Sequence, residues 1–275
     1  MYAGFTIDDL RVGGYALGDD KYAGFTLSQL RESGGIALSV LAAQRRLDGA
    51  SAESMACDGF SFAELQEAGY DLLNTLLRGG TYSKLDAILC IRELATARDD
   101  PELVNSGVVD ILVCVLNSVC VSDECKVGAS GALGAMSCTP ENKALLARAG
   151  TIPALVGLLQ SKADASKEAA AWALRNLARE SGDNMIAIAL AGAIDPLVEP
   201  LLYGTDSYKE AAARALCHLA CDSNNMAAIA SAGAIEPLVN LLGHPNDRYR
   251  YYWMSVYVYF CCMPSDGDMI YMLFY

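Results

Sequence analysis

An internal repeat limits this chain more than any other feature. The string "RAGTIPALVGLL" at 148–159 returns as "LAGAIDPLVEPLL" at 190–202 and "SAGAIEPLVNLL" at 231–242, with a weaker copy, "NSGVVDILVCVL", at 105–116. Gly107, Gly150, Gly192 and Gly233 therefore stand 43, 42 and 41 residues apart. A second string keeps the same phase: "KLDAILCIRELA" from Lys84, "KVGASGALGAMS" from Lys126, "KEAAAWALRNLA" from Lys167 and "KEAAARALCHLA" from Lys209. A period of this length marks a stacked array. One unit cannot bury its own apolar face, so the array is the stable object.

Each unit reads as three helices. The first, "NKALLARAG", is expected to start near Asn142 and stop at Gly150, since glycine enters the left-handed region at little cost. The second carries Pro153, Pro196 or Pro237 in its first turn, where a missing N–H is harmless, and offers Leu155, Val156, Leu158 and Leu159 to a core. The third spans about three turns. Ala170, Ala173, Leu174 and Leu177 fall at i, i+3, i+4 and i+7, one apolar face at helical period. Alanine there permits close packing between helices.

The period, the "AGAIxPLVxLL" second helix and the "KEAAxxALxxLA" third helix resemble armadillo repeats. The resemblance covers residues 84–250, read as about four units with the terminal ones incomplete. HEAT repeats share the length but lack this placement of glycine and proline. The resemblance implies an all-α, right-handed superhelical solenoid whose third helices stack in parallel along a concave face.

Residues 1–83 follow another rhythm. "GFTIDDLRVG" from Gly4, "GYALGDDKYA" from Gly14, "GFTLSQLRES" from Gly24, "GFSFAELQEA" from Gly59 and "GYDLLNTLLR" from Gly69 share glycine, an aromatic residue and, in most copies, Ser or Thr and a later leucine. Each predicts a two-turn helix in an N-terminal segment of short tandem helices. Thr26 or Ser61 would cap it, Glu64 completes a capping box, and Gly34 or Gly69 ends it. Helices this short are marginal alone, so Phe5, Phe25, Phe60, Leu10, Leu30 and Leu65 must pack on neighbours or on the array. The phase breaks over 35–58. The segment resembles decapeptide tracts of large proteins of algae and related protists, which implies no activity; it is read as a helical cap or an oligomerisation arm.

The chain carries a net charge of −13, and no segment of it is basic. Phosphate contacts need clustered Lys and Arg, so no nucleic-acid partner is expected. No run of 18 apolar residues occurs, so no membrane span is expected. The first residues lack the pattern of a targeting peptide, which predicts a cytoplasmic or nuclear protein. Ten cysteines scattered through helical segments predict mostly buried thiols rather than a disulfide scaffold.

No enzyme is expected. Only His218 and His244 could serve a histidine-based device. Cys217, His218 and Cys221 share a helical face but lack a fourth metal ligand, so neither a metal nor another cofactor is expected. "VGASGALGAM" at 127–136 lacks the spacing of a phosphate loop and aligns with a third helix, its glycines replacing alanine at about 1 kcal/mol each.

On a helical wheel Glu168, Trp172, Arg175, Asn176 and Arg179 lie together, opposite the alanine and leucine face. If third helices line a groove, Trp172 points into it. An asparagine amide offers a donor group and an acceptor to an extended backbone, and an indole can flank a side chain or hold a cation. The Trp-x-x-x-Asn spacing resembles the third-helix array of the importin-alpha branch, which binds basic localisation signals. It matches at Trp172 and Asn176 only. The equivalent positions are Arg214 and His218 in the next unit, Gly131 and Ala135 in the preceding one, and Leu89 and Glu93 in the first. The "ALRNLA" string is also common in general scaffolds of the vacuolar-protein and plant U-box type. The leading expectation is a protein-interaction scaffold binding a partner segment along Glu168, Trp172, Arg175, Asn176, Arg179, Arg214 and His218. The overall acidity biases it toward basic partners, and the arginines locally oppose that bias. The alternative is a nuclear-import adaptor. A packing role is open too: Trp172 could contact the next third helix and Asn176 a carbonyl inside the ridge.

Residues 251–275 depart from the repeat. Trp253, Val256, Tyr257 and Phe260 keep helical spacing but are bulky where other units carry alanine. Overpacking such a seam is unfavourable. The tail is read either as a capping element with its own packing or as a truncated or misread repeat, with the expectation that the true reading frame or splice ends near 250.

Overall fold

The computed structural model of the chain describes residues 50–57, 60–97 and 101–242. Phe5, Leu10, Phe25, Thr26, Leu30, Gly34, His244 and the 251–275 tail lie outside them. Among the described residues all regular structure is helical, and two compact units divide between Ile111 and Leu112.

The first unit holds α1 (Ala52–Cys57), α2 (Phe62–Glu67), α3 (Leu72–Arg78), α4 (Thr81–Ala97) and α5 (Pro101–Asn105). The capping box expected from "GFSFAEL" is formed: Ser61 Oγ accepts from the Glu64 N–H, and the Glu64 carboxylate accepts from the Ser61 N–H. Gly69 takes a φ of +85° between α2 and α3. Phe60 and Leu65 are buried, and both α1 and α3 pack on the long α4. Helix α1 lies inside the stretch where the decapeptide phase breaks. Met55 and Ala56 bury it against α4, and the Cys90 thiol of α4 donates to the Ala52 carbonyl at 3.4 Å.

The division falls inside α6 (Val108–Asn117). The second unit continues with α7 (Asp123–Met136), α8 (Pro140–Arg148), α9 (Thr151–Leu158), α10 (Asp164–Ala178), α11 (Gly182–Leu190), α12 (Ile194–Tyr203), α13 (Asp206–Leu219), α14 (Ser223–Ser231) and α15 (Ile235–Leu242). This is an all-α solenoid. Third helices α7, α10 and α13 pack side by side in chain order, second helices α9 and α12 pack on the third helix of their own unit, and first helices α8, α11 and α14 form a parallel series of contacts. Gly107, Gly150, Gly192 and Gly233, picked out by the period, all take φ between +78° and +85°. A side chain at such a φ is strained, which is why glycine recurs there.

Three expectations are corrected. Helix α8 begins at Pro140 rather than near Asn142, because the Thr139 hydroxyl accepts from the Asn142 N–H and proline suits the first turn. The third helices run longer than three turns, α10 over 15 residues and α7 and α13 over 14. Each starts at an aspartate suited to the positive helix end, and Ser122 and Thr205 cap two of them. The cysteines are not mostly buried: among the described ones Cys90 and Cys125 are, Cys217 is half-buried, and Cys57, Cys114, Cys120, Cys138 and Cys221 are exposed thiols. These last sit at helix ends, in loops or on outward faces, which the repeat leaves in water.

The core follows the alanine and leucine stripe and then exceeds it. Ala170, Ala173, Leu174 and Leu177 are at most 2% exposed, but Ala171 and Ala178 are buried too. Helix α10 is flanked by α7 and α13 as well as by α9, so three of its sides are covered. Alanine on the flanks lets the third helices approach. At Gly134 the approach is closer still: an added Cβ would lie 3.3 Å from Ala173 Cα and 3.3 Å from Asn176 Nδ2. Gly134 is therefore not an interchangeable alanine. Gly157, on α9, has nothing near the place of a Cβ. Gly157→Ala is expected to stabilise the chain by about 0.5–1 kcal/mol through helix propensity. Gly134→Ala, with the same propensity gain, should lower the melting temperature because the Ala173 backbone cannot give way. A higher melting temperature for Gly134→Ala would show that the seam has slack.

A ladder of buried asparagines closes the corners. Asn142, Asn184 and Asn225 occupy one position in successive first helices and are at most 8% exposed. Asn184 Nδ2 donates to the Leu177 carbonyl and Asn225 Nδ2 to the Met185 carbonyl, each at 3.1 Å. The Leu177 carbonyl lies in the last turn of α10, where a buried carbonyl is costly to leave bare, whereas the Met185 carbonyl lies inside α11 and its bond ties α14 to α11.

Candidate peptide-binding face of the third helices

The positions opposite the packed stripe share one degree of exposure. Leu89 and Glu93 on α4, Gly131 and Ala135 on α7, Trp172 and Asn176 on α10, and Arg214 and His218 on α13 are all half-buried. On α7, α10 and α13, which pack side by side in the second unit, these positions make one surface. Its chemistry changes from unit to unit, with most of the polar character on α10 and α13.

The expected site residues are engaged with one another and with neighbouring helices. The Arg214 guanidinium lies over the Trp172 ring, 5.1 Å from its centroid, and is also paired with Glu210 at 2.6 Å. Arg175 Nη1 donates to Asn176 Oδ1 at 2.9 Å, and Asn176 Nδ2 donates to the Gly134 carbonyl of α7 at 3.2 Å. The Glu168 carboxylate accepts from the Ser207 hydroxyl at the start of α13. Ser166 donates to Asp123 at 3.3 Å across the α7 and α10 pair. Arg179 is exposed at the C-cap of α10, where its carbonyl accepts from Lys143 Nζ of α8.

Sequence reasoning missed Lys143, Ser207, Glu210 and Gly134. Lys143 is buried, and burial first, then the Arg179 charge, pushes its ammonium below the usual lysine value. In the sequence it looks like any solvated lysine on a short helix. The buried asparagine beside it, recurring in each unit, was the available signal.

His218 is the most perturbed group on this face. Burial, then Arg175, Arg179 and Lys143, lower it from 6.5 to about 4, with Glu180 opposing. The imidazole is thus neutral near pH 7 and, like an amide, has one donor and one acceptor nitrogen. It stands where the preceding unit has Asn176. The unfolded imidazole takes up a proton near 6.5 and the folded one only near 4. Its contribution to stability is therefore complete above pH 6.5 and is lost as the pH falls through that window toward 4. His218→Asn should lose less stability than wild type between pH 6.5 and 5 in paired denaturant titrations. Identical slopes would place His218 in ordinary solvent.

The neighbouring Cys217 thiol is not activated. Burial raises Cys217 to about 11. Among the described residues, no three histidine, cysteine, aspartate or glutamate side chains are grouped to hold a metal ion. No single described helix is long and apolar enough to cross a membrane.

The Armadillo/beta-catenin-like repeat profile matches residues 139–179, which run from the cap of α8 to the C-cap of α10. No curated protein sequence matches the chain. A designed armadillo repeat protein in complex with the peptide (KR)4 is similar at a TM-score of 0.66 and 23% identity, with 85% of this chain and 92% of that chain covered. A computationally designed armadillo repeat protein for modular peptide recognition is similar at 0.65 and 22%, covering 85% and 94%. An engineered protein is similar at 0.65 and 25%, covering 87% and 93%. With a repeat that recurs in phase and left-handed glycines at Gly107, Gly150, Gly192 and Gly233, residues 139–179 match the armadillo repeat and the chain has the armadillo-repeat fold of these designed proteins.

Proposed function

We propose that the chain is a non-catalytic protein-interaction scaffold, acting in the cytoplasm or nucleus, whose third-helix face takes an extended or helical segment of a partner protein. One observation carries this: the same two positions of α7, α10 and α13, which pack side by side, form a half-exposed row, with an indole, an amide and a neutral imidazole at its best-equipped end. The Asn176 amide spends one N–H on Gly134 and one acceptor site on Arg175, and keeps one of each for a peptide backbone. The armadillo fold is a known non-enzymatic scaffold, and one designed neighbour is in complex with a peptide. The import-adaptor alternative is less well supported, because Trp172 and Asn176 form a single Trp/Asn rung and the next is Arg214 and His218.

The test is partner capture from native extract on wild type and on Trp172→Ala/Asn176→Ala, after matching helicity and melting temperature. Partners lost only from the variant are the expected result. An unchanged set would move binding to another surface and leave Trp172 and Asn176 as packing residues.

A further inference from the structure

We infer that the C-terminal end of α10, beside His218 of α13, anchors an acidic segment of the partner protein through Arg175 and Arg179, with the buried Lys143 adding its charge from behind. This rests on the third-helix face being the binding surface. The chain as a whole is strongly acidic, at −13, yet Arg175 and Arg179 stand one turn apart at the end of α10 and Lys143 Nζ reaches the Arg179 carbonyl, so three cations gather there, beside His218. Glu180 acts in opposition at His218. Lys143 donates to the Arg179 carbonyl, so the negative end of α10 is countered from within and does not repel an anion. Arg179 is exposed beside it, and a guanidinium fork matches a carboxylate with two parallel hydrogen bonds.

The aromatic seat points the same way. A basic peptide would lay a lysine or arginine on the Trp172 ring, but Arg214 already lies there and Glu210 holds it. A second cation would have to displace an ion-paired one or approach beside it. At about 0.15 M salt the screening length is about 8 Å, so a ligand at this end experiences the local cations more than the remote acids.

The experiment uses the full chain and fluorescence anisotropy at 0.15 M salt with labelled (Asp-Glu)4, labelled (Lys-Arg)4 and a single-stranded oligonucleotide of equal charge. The acidic peptide should bind at least tenfold tighter than the basic one. Arg179→Glu should weaken it tenfold or more, and Arg179→Lys, which keeps the charge but loses the fork, should restore only part of it; Arg179 is exposed, so both variants should keep the wild-type melting temperature. Absence of acidic-peptide binding up to millimolar concentration overturns the inference. Tighter (Lys-Arg)4 binding that depends on Trp172 and Asn176 also overturns it while leaving the face as the site. Peptide binding indifferent to Trp172→Ala/Asn176→Ala removes the face reading itself. An oligonucleotide that binds as tightly, with the same Arg179 dependence, replaces the protein segment by nucleic acid.

Discussion

Leu174→Ala is expected to destabilise the second unit by about 2–5 kcal/mol, among the larger effects of any single substitution in the described chain. Leu174 has no exposed surface, and α10 is packed between α7 and α13 and against α9. Removing its isopropyl group costs the transfer of that surface and leaves a cavity, because the alanines around it are already too close to collapse inward. The neighbours of Leu174 are helices of adjoining repeats, so the loss also weakens the interfaces that couple units in an array. The measurement is the urea midpoint together with the slope of the transition. A lower midpoint at an unchanged slope is expected for one cooperative unit. A broadened or split transition would mean that the repeats on either side of α10 unfold separately. A shift below about 1 kcal/mol would mean that the site relaxes, contrary to the close packing described.

Asn184→Asp is expected to cost at least about 3 kcal/mol at pH 7. The change replaces an N–H donor with a carboxylate oxygen aimed at the Leu177 carbonyl, at a site 4% exposed. An uncompensated buried charge facing an acceptor is disfavoured twice, by lost hydration and by repulsion. The folded state would therefore raise the carboxyl pKa above its unfolded value of about 3.9. Protonation relieves the repulsion, so the stability penalty should shrink as the pH falls from 7 toward 5 and grow as it rises. Asn184→Ala, which leaves the carbonyl bare without adding charge, should cost about 1–3 kcal/mol with little pH dependence. The stability difference from wild type at pH 7 and pH 5 is the readout. A small penalty, equal at both pH values, would show that water reaches the corner.

Both results depend on features that differ in how visible they were in the sequence. Leu174 was readable, since a leucine at i+4 from Ala170 on a periodic stripe can only face a core. Asn184 was not singled out, although Asn142, Asn184 and Asn225 recur with the repeat. A polar residue early in a short helix reads as a solvated end, and only the path of the chain into the next unit brings a carbonyl over it. Gly134 shows the same limit. As a sequence letter it is an alanine substitute that weakens a helix; in the solenoid its missing Cβ admits Ala173 and its carbonyl holds Asn176.

The face was legible as a face and not as a set of interactions. Helical geometry places Glu168, Trp172, Arg175, Asn176 and Arg179 together on one helix, and the period names Arg214 and His218 as their counterparts. That Arg214 would fill the Trp172 ring, that Lys143 would reach the end of α10 from α8, and that His218 would lose its proton affinity follow from side-chain lengths and burial between repeats. The expected preference for basic partners came from net charge, a quantity summed over distances that salt screens. A cluster within one Debye length can have the opposite sign.

The sequence by itself determined the class, the period, the left-handed glycines and the buried stripe of the third helices, because these depend on local backbone freedom and on the 3.6-residue rotation of one helix. The tertiary structure alone decided which polar groups meet across neighbouring repeats, where the chain approaches closer than a methyl group allows, and which charges collect beside His218. Those outcomes are fixed by ångström-scale separations between helices about 40 residues apart in the chain, and no local rule carries that distance.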